Sequence, residues 1–180
     1  MRPPETFQTP RLSLRPVELK DARQIYTTYA GEAAPTHYMN FARHWELEES
    51  EAFALRCIEC WKSGSAFAWA VESKSHGAII GVIDLRLTPP KADFGYIYGQ
   101  EFWGQGFATE AAAAVVNWAI AQPEIFRVWA TCYPDNLASA AVLQKVGLSF
   151  EATLVNSEAR PQLGEVAGPS HCYAMVKLPD

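Results

Sequence analysis

The sequence predicts an α/β chain in which a mixed, strongly twisted sheet carries helices on both faces, built as one domain over residues 1–180. Three observations predict it. An alternating aromatic strand, Ala92–Tyr98, runs into a glycine-rich loop and an Ala-rich helix, and a second alternating strand follows at 126–132. Strand, helix and strand at that spacing imply a right-handed parallel crossover. Earlier, Phe67, Trp69 and Val71 alternate with alanines and reach Ala78–Leu87 through Lys74-Ser75-His76-Gly77, the pattern of an antiparallel hairpin. Finally, 180 residues that are 49% hydrophobic, with no break in composition, can bury one sizeable core.

Each element has its own signal. Thr9–Pro16 alternates with proline at both ends, which predicts an exposed edge strand. Lys20–Tyr29 reads as a helix stopped by Gly31. Glu46–Ser63 reads as a second helix ended by Gly64, with Cys57 and Cys60 on one side of it. A lone C-x-x-C lacks the second close pair of a zinc site and the fold context of a redox motif, so the four cysteines are expected to be buried or half-buried free thiols. Ala108–Ala121 is apolar on nearly every face, as a helix lying on a sheet would be. In Phe126–Cys132, Phe126, Val128, Ala130 and Cys132 alternate with Arg127, Trp129 and Thr131. Asn136 then precedes an amphipathic helix carrying Val142, Leu143 and Val146, with Asp135 or Asn136 as its N-cap. The Pro- and Gly-containing stretch 159–169 reads as a long loop.

Charge and hydropathy exclude several partners. A net charge of −5 without any Lys/Arg run argues against nucleic acid. The apolar stretch 111–116 is interrupted at Asn117, short of a membrane span, and no apolar leader segment follows Met1–Glu5. A cytoplasmic protein with no membrane partner is expected, as a monomer or homodimer. No metal-ligand spacing joins the histidines to the cysteines, so no metal site is expected.

The chemistry concentrates in 92–147. The loop Gly99-Gln100-Glu101-Phe102-Trp103-Gly104-Gln105-Gly106-Phe107-Ala108 sits between a strand and a helix, where glycines let backbone N–H groups approach a phosphate and the helix dipole favours an anion. Its spacing does not suit a dinucleotide fingerprint, whose third small residue would fall at Thr109, nor a P-loop, which needs Gly-Lys-Ser/Thr. An ordinary turn capping the helix is the plainer reading.

The segment as a whole resembles the acyl-CoA-binding half of the GNAT superfamily of N-acetyltransferases, whose Gln/Arg-x-x-Gly-x-Gly/Ala pattern fits Gly104 and Gly106 but meets Glu101 at its first position. The opening Thr9–Arg15 with Asp21-Ala22, and the exit Gly147-Leu148-Ser149-Phe150-Glu151, are similar to the RimJ/RimL-like branch, named for enzymes that acetylate N-terminal amines of ribosomal proteins.

That resemblance implies a GNAT-type fold with a splayed central strand pair, between the strand ending near Tyr98 and the one at 126–132. It implies acetyl-CoA as co-substrate, held by backbone at Trp103, Gly104, Gln105, Gly106, Phe107 and Ala108, with Glu101 pointing away because a carboxylate would repel a pyrophosphate. Asn136 would meet the pantetheine arm, and Ser139, three residues on, the thioester sulfur. A backbone amide near Ile97 or Tyr98 would hold the oxyanion of direct acyl transfer to a primary amine. For the base, Glu158 lies near the expected acceptor mouth, Asp84 and Asp93 lie on or beside central strands, and a water chain is a fourth route. His37, Tyr38, Phe41, His44 and Trp45 are either an acceptor-pocket wall or a packed loop. The acceptor stays open among a protein N-terminal amine, a polyamine, an aminoglycoside and an amino acid. Two other classes compete: a catalytically idle acyl-CoA-binding sensor or assembly module, and an unrelated nucleotide-binding α/β protein.

Overall fold

In the computed structural model, which describes residues 1–177, all eight strands join one sheet in the order β1-β2-β3-β4-β5-β6-β8-β7. The chain opens with β1 (Phe7–Gln8) and β2 (Leu12–Pro16), then a helical run in which α1 (Ala22–Ile25) is flanked by a 3-10 turn, Leu19–Asp21, and a π-turn, Tyr26–Ala30. A short α2 (Ala33–Thr36) precedes α3 (Leu47–Ser63). Glu46 and Glu49 form a capping box at the start of α3, and Gly64 stops it at φ 75°, a left-handed turn that glycine adopts without Cβ strain. The hairpin β3 (Phe67–Ser73) and β4 (Ala78–Thr88) leads to β5 (Lys91–Tyr98), α4 (Phe107–Ala121), β6 (Arg127–Cys132) and α5 (Leu137–Lys145). The chain closes with β7 (Ser149–Arg160) and β8 (Glu165–Val176).

Period-two alternation divides the core into two layers. On one face Leu12, Leu14, Phe67, Trp69 and Phe94 pack under Ala111, Val115 and Val116 of α4 and Leu143 of α5. On the other, Ala68, Ala70, Val82 and Ile97 pack under Ile25, Tyr29, Ala54 and Cys57 of the α1 run and α3. Each fully buried large side chain contributes roughly 1.5–3 kcal/mol, so these layers, not intrinsic propensity, hold a helix as short as α1.

Three expectations need correcting. Thr9–Pro16 is not the edge: β1 pairs outside β2, matching Phe7 to Leu14, and the strand itself begins at Leu12. Residues 20–29 are not one regular helix, because the run tightens at its start and widens into the π-turn. Most consequentially, 159–169 is no long loop. Pro161–Leu163 makes a single 3-10 turn, Gly164 reverses the chain at φ 69°, and β8 resumes at Glu165. Gly168 and Pro169 are absorbed by register shifts between Leu154 and Glu158 and between Glu158 and Arg160, with Asn156 at φ 50°.

The feature that positions the site is a parting of β5 from β6. The two pair in parallel only at Lys91–Arg127, Ala92–Val128 and Asp93–Trp129. Beyond that, β5 stays on β4 through Tyr98 while β6 stays on β8 through Cys132, so the central pair is splayed, as the resemblance implied.

Candidate active site

The glycine loop sits at the top of the opening. Gly104 and Gly106 adopt φ 73° and 81°, left-handed conformations that a Cβ would strain, and Gly106 is the N-cap of α4 with no side-chain cap. Trp103 N–H is spent on Gln100 O at 3.2 Å. The amides of Gly104, Gln105, Gly106, Phe107 and Ala108 donate to no group among the described residues. Five free donors at a helix N-terminus are what an anion needs. Glu101 lines a hollow with Thr27, Thr28, Glu32 and Gln100.

A residue that sequence reasoning missed braces this loop. Arg11 donates to Gln105 O at 2.9 Å and to Glu110 at 2.6 Å, and its guanidinium lies 4.6 Å from the Phe107 ring centroid. Burial opposes the charged form of Glu110, yet the bonds from Thr9 and Arg11 outweigh it and hold the carboxyl below its ordinary range. Nothing local in the sequence marks Arg11, since its partners lie 94 and 99 positions away.

Down the opening, the backbone of β5 divides its donors. Gly99 N–H donates to Ile80 O at 3.0 Å, and the Ile97 carbonyl lies against Gly81, so both face β4. Alternation therefore turns the Tyr98 amide toward the gap, and Ile97 contributes packing on the other face of the sheet instead. Trp103 Nε1 fastens the loop to the strand end through Tyr98 O at 2.9 Å.

Ser139 and Asn136 stand on one side of β6. Asn136 Oδ1 accepts from Ser139 N–H at 3.1 Å, which makes Asn136 the N-cap of α5 and presents Ser139 one turn in. The Tyr96 phenol reaches from β5 to within 2.8 Å of Ser139 Oγ. Burial pushes the Cys132 thiol up to about 11, and the neighbouring Ser139 hydroxyl pulls the other way.

Glu158 stands on the other side. Its Oε1 accepts from Thr131 Oγ1 at 2.5 Å, and its Oε2 meets Arg160 Nη1 at 3.0 Å and Asn40 Nδ2 at 3.4 Å. Thr131 and Cys132 are consecutive on a strand and so point to opposite faces. The bulges in β7 carry Glu158 over to Thr131. Arg160 is 2% exposed and also bonds Ser170 Oγ and Ala159 O. Asp84 and Asp93 are both bound by Arg86; burial pushes the Asp84 carboxyl up while Arg86 pulls it down. The two aspartates thus form a closed ion-pair group, whereas Glu158 combines an ion pair with hydroxyl and amide partners.

The aromatic loop divides. Tyr38 stacks on Tyr133 with centroids 5.3 Å apart, and Gln162 Nε2 holds Phe41 O at 3.0 Å, so this part walls the Glu158 side. His44 is buried with Nδ1 at 2.7 Å from Ser50 Oγ, a packed position, and Trp45 is 68% exposed. Cys57, Cys132 and Cys172 are buried and Cys60 half-buried, all as free thiols. Among the described residues no three His, Cys, Asp or Glu side chains group as a metal site, and no helix is long and apolar enough to cross a membrane.

Comparison with known proteins points the same way. The family model described as an acetyltransferase (GNAT) domain matches residues 11–149. An N-acetyltransferase of Bacillus licheniformis named p20, itself uncharacterised, is 26% identical over 157 residues, covering 86% of this chain and 88% of that protein. The [ribosomal protein uS5]-alanine N-acetyltransferase of Escherichia coli is 28% identical over 162 residues, covering 83% and 80%. Among solved structures, the microcin C7 self-immunity acetyltransferase MccE, in complex with acetyl-CoA and AMP, superposes with a TM-score of 0.83 at 20% identity, over 97% of this chain and 98% of that one.

Proposed function

Because the chain belongs to the GNAT acetyltransferase family and uses acetyl-CoA as its donor, we propose that it acetylates the α-amine of a protein N-terminus by direct attack in a ternary complex. One observation carries the reading: past Asp93 and Trp129 the central strands part, with Ser139 on one face of β6 and Glu158 on the other. A thioester carbonyl lying in that gap has a hydroxyl on its sulfur side and a carboxylate on its amine side.

The roles follow from charge. The free amides of Gly104 to Ala108 and the N-terminal end of α4 hold the pyrophosphate. Glu158 takes the proton of the incoming ammonium or relays it to water, and the Tyr98 amide donates to the developing oxyanion. As the C–N bond forms and the C–S bond breaks, the electron pair stays on sulfur, where the Ser139 O–H stabilises it without giving up its proton. A serine hydroxyl is too weak an acid to do more.

The protein acceptor is favoured by the similarity to the uS5-alanine enzyme, whose name gives an alanine of a ribosomal protein as its acceptor, and by the Tyr38–Tyr133 wall beside Glu158. We place the reaction in the cytoplasm for the same reason. The test pairs an acceptor screen with one variant. Peptides with free N-termini should outpace polyamines, aminoglycosides and amino acids at saturating acetyl-CoA; turnover confined to small amines would refute the acceptor. Ser139→Ala should slow single-turnover transfer about ten- to a hundredfold, the value of a bond to a charged group at roughly 1.5–3 kcal/mol, with acetyl-CoA binding retained. A change under about twofold would refute the role of Ser139.

A further inference from the structure

Tyr96 lies three residues past Asp93, the last position of β5 that pairs with β6, so its side chain stands at the opening itself. It is half-buried, stacked near Phe94 with centroids 6.1 Å apart, and its hydroxyl reaches two atoms of one residue: Ser139 Oγ at 2.8 Å and Ser139 O at 3.2 Å. A phenol has one proton for these two acceptors. In one arrangement Tyr96 donates to the Ser139 carbonyl and accepts from the Ser139 hydroxyl. In the other, Tyr96 donates to Ser139 Oγ, and the serine proton is free for a third atom. The two interconvert by rotation about two C–O bonds, with no proton lost or gained. Burial pushes the Tyr96 phenol well up, only partly offset by its bond to Ser139, so it remains a donor throughout the working range.

We propose that Tyr96 is a positioning residue for acetyl transfer, its hydroxyl donating to Ser139 Oγ and turning the serine proton toward the departing sulfur. The inference rests on the reading of Ser139 given above. The reaction balances as before: C–N forms, C–S breaks, the pair goes to sulfur, and the amine proton leaves on the Glu158 side. Tyr96 adds a second hydroxyl in series, which polarises the first as charge builds on sulfur. The contribution belongs to the transition state, because the thioester sulfur of the bound donor is nearly neutral and a poor acceptor.

A double-mutant cycle in single-turnover transfer at saturating acetyl-CoA tests it, using Tyr96→Phe, Ser139→Ala and the pair together. Tyr96→Phe keeps the ring against Phe94 and removes only the hydroxyl. It should slow the chemical step about three- to tenfold, as for loss of one ordinary hydrogen bond, and leave the acetyl-CoA Kd within about twofold. In the Ser139→Ala background the same change should do nothing, since there is no hydroxyl left to orient. Equal losses in both backgrounds would overturn the proposal, because a packing role does not depend on Ser139. So would an unaltered rate for Tyr96→Phe in protein where Ser139→Ala is slow, which would leave the Ser139 reading standing. If Ser139→Ala itself is unaltered, the Ser139 reading fails and this inference fails with it.

Discussion

Gly106→Ala separates a binding loop from a mere helix cap. Gly106 holds φ 81°, and an added Cβ would meet its nearest atom, Arg11 Nη2, at an ordinary 3.4 Å. Steric clash is therefore absent and the cost is conformational, about 1–2 kcal/mol for a left-handed non-glycine residue. At this chain length that lowers Tm by about 2–8 °C if the loop keeps its shape. If the loop relaxes instead, the peptide planes around 105–107 rotate and the free amides lose their common direction. Losing one bond to a charged phosphate oxygen costs roughly 1.5–3 kcal/mol, so acetyl-CoA should bind about ten- to a hundredfold more weakly. Calorimetric titration with acetyl-CoA measures this directly. S-acetylpantetheine, which lacks the pyrophosphate, supplies the control, and its transfer rate should be nearly unaltered by the substitution. An acetyl-CoA Kd within about twofold of the parent without that loss of Tm, meaning a relaxed loop that still binds, would refute the phosphate cradle, and equal losses with both donors would show strain spreading into the cleft instead.

Glu158→Gln keeps an acceptor for Thr131 but removes the base, so transfer to a peptide amine should fall about a hundredfold near pH 7. The deficit should shrink above about pH 8, where an α-amine is already neutral, and a pH-independent deficit would exclude Glu158 as the base. His44 makes a stability prediction. Burial lowers its pKa against the pull of Glu49, so the unfolded chain takes up the proton more readily than the folded one. The stability it confers is full above the unfolded value of about 6.5 and declines as pH falls from there to the folded value. Urea midpoints of His44→Gln should vary less with pH across that window than those of the parent, and identical profiles would remove His44 as the cause.

The elements legible in the sequence were those whose signal is local. Period-two alternation marked β3, β5 and β6, the polar turn at 74–77 marked β4 as the partner of β3, and the glycines at 64, 104, 106 and 147 marked turns that each adopt positive φ. The motif spacing of Asn136 and Ser139 was readable because a helix N-cap and the residue three positions on share a face whatever the surroundings. The hairpin at 159–169 was not readable, since Pro161, Gly164, Gly168 and Pro169 look like loop breakers until β8 supplies a register that accommodates bulges. The order of the first strands was hidden for a similar reason: two residues, Phe7 and Gln8, are strand only because β2 is there to pair with them. Tyr96 read as one more alternating aromatic, Arg11 as an ordinary charge on a strand and Arg160 as one in the expected loop. Their roles come from partners 43, 94 and 10 positions away, brought to hydrogen-bond distance by the sheet. By itself the sequence determined the alternation, the turns and the one-turn geometry of Asn136 and Ser139, because backbone sterics and side-chain period act over a few residues. Tertiary structure alone decided which hydroxyls meet Ser139 and Glu158 and where β5 leaves β6, because those depend on distances between segments that no local preference encodes.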